Sequence, residues 1–113
     1  MITSHILNIS TGKPAEGVDA VLFFQENDGP LATAWAEIAK SKTNSDGRIQ
    51  EWLSKEPAAG IYKIRFETKS YFDKSSVKSF YPFVEIVFEI QANEHYHIPL
   101  LLSPYGYSTY RGS

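Results

Sequence analysis

Three histidines, an arginine beside a turn and a C-terminal Tyr-Arg-Gly-Ser are the residues of this chain best suited to chemistry. His5 lies near the start, and His95 and His97 lie in "NEHYHIPLLL". On an extended strand, side chains alternate between faces, so His95 and His97 share one face, and Tyr96, Ile98, Leu100 and Leu102 the other. The second set reads as a core face. The histidine face continues through Pro99 and Leu101, an apolar pair suited to a pocket or another subunit rather than open water. Imidazole titrates near neutral pH, which fits these side chains for general acid–base work. Spacing alone leaves two other readings open. The three can be ordinary surface histidines, or they can ligate a metal, although no acidic or histidine partner sits at a telling offset.

Arg48 directly follows Asp46-Gly47 in "TNSDGR". Gly47 accepts the positive φ of a hairpin-type turn. An arginine there is either solvated or a planar fork of donors for a carboxylate or a carbonyl-rich ring. At the other end stand Tyr110, Arg111, Gly112 and Ser113. Gly112 lets the backbone fold back, and Ser113 brings a hydroxyl and a terminal carboxylate. Spacing does not decide between a solvated tail and the wall of a site.

The elements that must carry these residues read as short strands separated by turns. Strands are expected at Thr3–Ile9, Val18–Gln25, Ala32–Lys42, Ile49–Leu53, Ile61–Thr68, Phe83–Ile90, Tyr96–Leu102 and Tyr105–Tyr110, with a short helix within Tyr71–Phe80. "STGKPAEG", "ENDGP", "KEPAAG" and "SPYG" supply turns. In Ala32–Lys42, Thr33, Trp35, Glu37 and Ile38 fit neither the strand nor the helix period cleanly. This pattern predicts one all-β domain over residues 1–113, an antiparallel β-sandwich of about eight strands with one short helix.

Composition allows such a fold and excludes several functions. The chain has 113 residues, 42% hydrophobic and 14% aromatic, enough for one modest core. Net charge is -2 with both signs interspersed, so no basic stripe points to nucleic acid or a membrane surface. There is no cysteine, which excludes disulfides, thiol nucleophiles and cysteine-ligated metals. The first residues lack a basic region and a long apolar run, and the last three are not a peroxisomal address, so a cytoplasmic location is expected.

Three stretches together carry more than each does alone. "SHILNISTGKPAEGV", "TNSDGR" and "HYHIPLLLSPYGYSTYRGS" closely resemble the transthyretin-like family and, within it, the 5-hydroxyisourate hydrolase branch. The resemblance runs from about Ser4 to Ser113. One departure is Pro82-Phe83, where the family's proline is usually followed by an acidic residue. The resemblance implies a two-sheet sandwich and a homotetramer, a dimer of dimers with sites between subunits. It implies hydrolytic opening of 5-hydroxyisourate to 2-oxo-4-hydroxy-4-carboxy-5-ureidoimidazoline, without cofactor or metal. It also implies roles for His5, Arg48, His97 and Ser113 in catalysis, and for His5, Arg48, Tyr110, Arg111 and Gly112 in holding substrate. It assigns His95 no catalytic role. The runner-up is a hormone carrier of the same fold, whose branch lacks the His-Tyr-His and Tyr-Arg-Gly-Ser signatures.

Overall fold

The computed structural model describes residues 1–26, 34–91 and 94–113. Strands β1 (Ile2–Asn8), β2 (Lys13–Pro14), β3 (Asp19–Gln25), β4 (Trp35–Lys42), β5 (Arg48–Ile49) and β6 (Gly60–Phe66) precede helix α1 (Thr68–Lys74). Strands β7 (Val84–Ile90), β8 (Tyr96–Ser103) and β9 (Gly106–Thr109) follow it. One sheet has the order β2-β1-β8-β9, with β5 also paired to β1, and the other β4-β3-β6-β7. The inner faces meet in one core. Ile2, Ile6, Leu100 and Leu102 come from the first sheet, and Leu22, Ile64, Phe66, Val84 and Ile90 from the second. Each such side chain contributes about 1.5–3 kcal/mol by leaving water.

The expected sandwich forms, with one departure from an antiparallel scheme: β1 and β8 run parallel, from Ile2 opposite Tyr96 to Asn8 opposite Leu102. The outer edge of β1 is filled by two short strands. β2 takes Leu7 and Asn8, and β5 takes Ser4 and His5. Between them the Ile6 N–H donates to the Gly47 carbonyl, and the Ile6 carbonyl accepts from Ala15 N–H. In place of the expected strand Ile49–Leu53, pairing covers Arg48–Ile49 and the chain is irregular from Gln50. Trp52 packs into the core from irregular backbone.

Other boundaries moved for local reasons. The mixed period in Ala32–Lys42 is a β-bulge: the register steps from Leu22 opposite Ala39 to Phe23 opposite Glu37 and skips Ile38. Ala32 and Thr33, and residues 27–30 of the "ENDGP" turn, lie outside the described residues. The helix starts earlier than expected, at Thr68, and stops at Lys74. There Ser76 takes φ 56°. Its N–H bonds the Asp73 carbonyl and the Val77 N–H the Phe72 carbonyl, the double bond of a Schellman end. The Asp46-Gly47 turn is not a hairpin between paired strands, because it carries the chain from β4 in one sheet to β5 in the other.

Candidate active site

The outer face of the first sheet gathers most of the chemistry-bearing residues. Alternation along β8 buries Tyr96, Ile98, Leu100 and Leu102 and turns His97 outward, while His95 is exposed just before the strand. Along β1 the same alternation buries Ile6 against the core and turns Thr3, His5 and Leu7 outward. Parallel pairing then sets Thr3 opposite His97 and His5 opposite Pro99. On the far side of β1, His5 stands opposite Arg48.

The turn before Arg48 is held from within. The Asn44 side-chain carbonyl accepts from Asp46 N–H at 2.9 Å and Arg48 N–H at 3.0 Å. Gly47 N–H donates to the Asn44 carbonyl, and Asn44 N–H to that of Arg48. Gly47 has φ 73°, and a Cβ there would lie 2.5 Å from the Ile6 carbonyl oxygen, so only glycine lets this turn press against β1. Buried Thr43 anchors the turn's start: its hydroxyl donates to the Ala15 carbonyl at 2.7 Å and accepts from Val18 N–H at 2.8 Å.

The C-terminal tail is not free. Gly112 N–H donates to the His97 carbonyl at 2.8 Å, in an isolated antiparallel bridge. A Cβ on Gly112 would collide with the His97 ring and touch Pro99, so the tail lies flat against β8 because this residue has no side chain. Pro99 is buried accordingly within a single chain.

A hollow of about 300 Å³ results, lined by Thr3, Arg48, Gln50, His95, His97 and Ser113 among others. His5 is not among the residues lining it; it stands opposite Arg48 across β1 and β5 and within electrostatic reach of His97. Tyr110 and Arg111 are not brought to this hollow. They line a neighbouring one with Ile86 and Phe88, and among the described residues His97 alone belongs to both. Arg111 lies over the Tyr96 ring at 4.7 Å and pairs with Glu94 at 3.5 Å.

Met1, Thr3, Ser4 and Gln50 line the hollow without having been singled out from the sequence. Thr3 was findable, because period two places it on the same face as His5. Its hydroxyl lies 2.7 Å from His97 Nδ1 and 3.1 Å from His95 Nε2. Gln50 follows β5 in irregular backbone and carried no such signal.

Electrostatics favour neutral imidazoles. Burial first, then the Arg48 cation, lower the His5 pKa from its ordinary 6.5, against an opposing pull from Asp46. Burial lowers that of His97, helped by Arg48, His5 and His95. Arg48 forms no ion pair with a carboxylate among the described residues, which leaves its fork for another acceptor. Among those residues no cluster of three His, Cys, Asp or Glu is arranged to hold a metal ion. Two neutral bases beside a cation can take a proton from water while a developing oxyanion is balanced.

Residues 2–112 match the model of the HIUase/Transthyretin family. The chain belongs to this family. A probable 5-hydroxyisourate hydrolase of Schizosaccharomyces pombe is 50% identical, over 99% of this chain and 90% of that protein. The 5-hydroxyisourate hydrolase of Mus musculus is 40% identical, over 99% of this chain and 94% of its own. Among solved structures, the 5-hydroxyisourate hydrolase of Klebsiella pneumoniae superposes with a TM-score of 0.85 at 37% identity, covering 99% of this chain and 98% of that one. Sea bream transthyretin in complex with thyroxine gives 0.89 at 30% identity, covering 98% and 93%. Both branches of the HIUase/Transthyretin family thus share this backbone, and side chains must separate them.

Proposed function

We propose that this chain hydrolyses 5-hydroxyisourate to 2-oxo-4-hydroxy-4-carboxy-5-ureidoimidazoline, a step of urate breakdown. The observation that carries the reading is the meeting of His5, Arg48 and His97 on one sheet face in a chain so close to named 5-hydroxyisourate hydrolases. A water gives up a proton to a neutral histidine and attacks the ring carbonyl. The Arg48 guanidinium offsets the charge that develops on oxygen. The C–N bond then breaks, and the freed nitrogen takes a proton from an imidazolium. His97 and His5 are the two groups suited to these proton transfers. Ser113 orients substrate or water at the wall of the hollow. Gly112 allows the close approach, and Tyr110 and Arg111 bound the neighbouring hollow, where they reach substrate across a subunit boundary. The working unit is a homotetramer, a dimer of dimers, in the cytoplasm, and no cofactor takes part.

The carrier alternative rests on the backbone alone, since thyroxine-bound sea bream transthyretin superposes as well as the hydrolase does. Nothing in the hollow favours it.

The test is the ultraviolet decay of 5-hydroxyisourate generated freshly from urate. The chain speeds this decay, and His5→Ala, Arg48→Ala and His97→Ala each lose on the order of 100-fold or more. A decay equal to the enzyme-free blank, alongside tight thyroxine binding, rejects the hydrolase in favour of the carrier.

A further inference from the structure

Opening a cyclic amide with water has a proton left over. Water's oxygen joins the carbonyl carbon, one hydrogen ends on the freed nitrogen, and the new carboxylic acid ionises at neutral pH. One proton per turnover must therefore leave the site. We propose that Thr3 and His95 form a proton-release chain leading from His97 to solvent, an inference that rests on the hydrolase reading.

The geometry is that of a hydrogen-bonded relay. The Thr3 hydroxyl stands between two imidazole nitrogens, 2.7 Å from His97 Nδ1 and 3.1 Å from His95 Nε2. Thr3 itself is 8% exposed and His95 is exposed, so the chain runs from a sheltered atom to water. Backbone pairing fixes the inner link, because Thr3 and His97 are opposite each other across β1 and β8. The two rings lie nearly parallel, at 17°.

A hydroxyl has one hydrogen, so its two contacts cannot both accept it. When His97 Nδ1–H donates to Thr3, the Thr3 hydrogen is left to donate to His95 Nε2. That sense leaves the His97 Nε2 lone pair bare, as a base requires. Once Nε2 has taken a proton from water, the imidazolium returns it to the leaving nitrogen; Nε2 then takes the proton of the new carboxylic acid, and the Nδ1 proton passes to Thr3 as the Thr3 proton passes to His95. His97 is then neutral with hydrogen on Nε2, His95 gives its extra proton to solvent, and tautomer exchange with water restores hydrogen to Nδ1 before the next turnover. No atom or electron is unaccounted for.

The surrounding charges disfavour a proton held at the inner end. His97 is faced by His5 from β1 and Arg48 from β5, both of which disfavour a cation there. The outer side of His95 faces a hollow lined by Glu56, Glu94 and Met1, where the Met1 ammonium pairs with Glu56 at 2.7 Å and Arg111 with Glu94 at 3.5 Å.

The test compares Thr3→Val, Thr3→Ser and His95→Ala in the intact chain. Thr3→Val lowers kcat about tenfold or more with KM little changed, and Thr3→Ser restores most of that loss. With His95→Ala, kcat rises with the concentration of a small buffer that replaces the lost acceptor, whereas the wild-type rate does not. Nitrogen-15 spectra without substrate place the His97 proton on Nδ1 in the wild type and on Nε2 in Thr3→Val. The proposal is overturned by a wild-type His97 protonated on Nε2, by buffer-independent turnover in His95→Ala, or by Thr3→Val within about twofold of the wild type. A wild-type chain that leaves 5-hydroxyisourate decay unchanged overturns the hydrolase reading instead, and the nitrogen spectra still decide the hydrogen-bonded chain.

Discussion

His5 and His97 are useful because they are held neutral. Both have pKa values below the ordinary 6.5, through burial first and then the Arg48 cation. Both are thus mostly unprotonated at neutral pH and become cations only as pH falls through the lowered values. The acid limb of kcat/KM should therefore lie below 6.5. Arg48→Ala removes a cation that depresses both values, so the limb should move upward as the rate falls. An initial-rate profile against pH checks this, and an unmoved limb in the variant would remove Arg48 from the electrostatic account. These residues were legible from their types, and His97 also from alternation. Their mutual electrostatic reach was not, because β1 and β8 are distant in the sequence.

The tail shows how an element depends on one missing side chain. Tyr110 to Ser113 follow β9 beyond its last paired residue, Thr109, and return to β8 through the Gly112–His97 bridge and Arg111 over the Tyr96 ring. Gly112→Ala forces a Cβ into the His97 ring. The tail should lift away, taking Ser113 from the hollow, while the core, which contains no tail residue, stays intact. We expect activity to drop about tenfold or more at nearly unchanged melting temperature, read by the decay assay and circular dichroism. A variant with full activity would show that the tail's seat on β8 does not matter. Elements with strict alternation, such as β6 and β8, were read closely from sequence. Those whose course depends on a distant partner differ from the pattern: β5 pairs β1 over two residues only, Arg48 and Ile49, and β4 is bulged at Ile38.

Across the whole molecule, the apolar residues left in water matter most. Val87 is 57% exposed, Tyr107 41% and Tyr110 58%, on or just beyond β7 and β9, strands that end the two sheets. Unpaired strand edges carrying such side chains invite pairing with another chain. Light scattering at micromolar concentration should give the mass of a tetramer, and a Val87→Lys variant should shift it toward smaller species. A monomer at all concentrations would reject the oligomer and, with it, any role for Tyr110 and Arg111 across a boundary.

By itself the sequence determined the all-β character, the core-facing positions and the identity of the chemical groups. Alternation and turn chemistry are local, so they survive in a string of letters. Tertiary structure alone decided which groups meet. The parallel β1–β8 pair sets Thr3 beside His97, the Gly47 turn delivers Arg48 opposite His5, and the bare backbone of Gly112 brings Ser113 home. Each of these joins residues far apart in the chain, through register and close approach that no local pattern encodes.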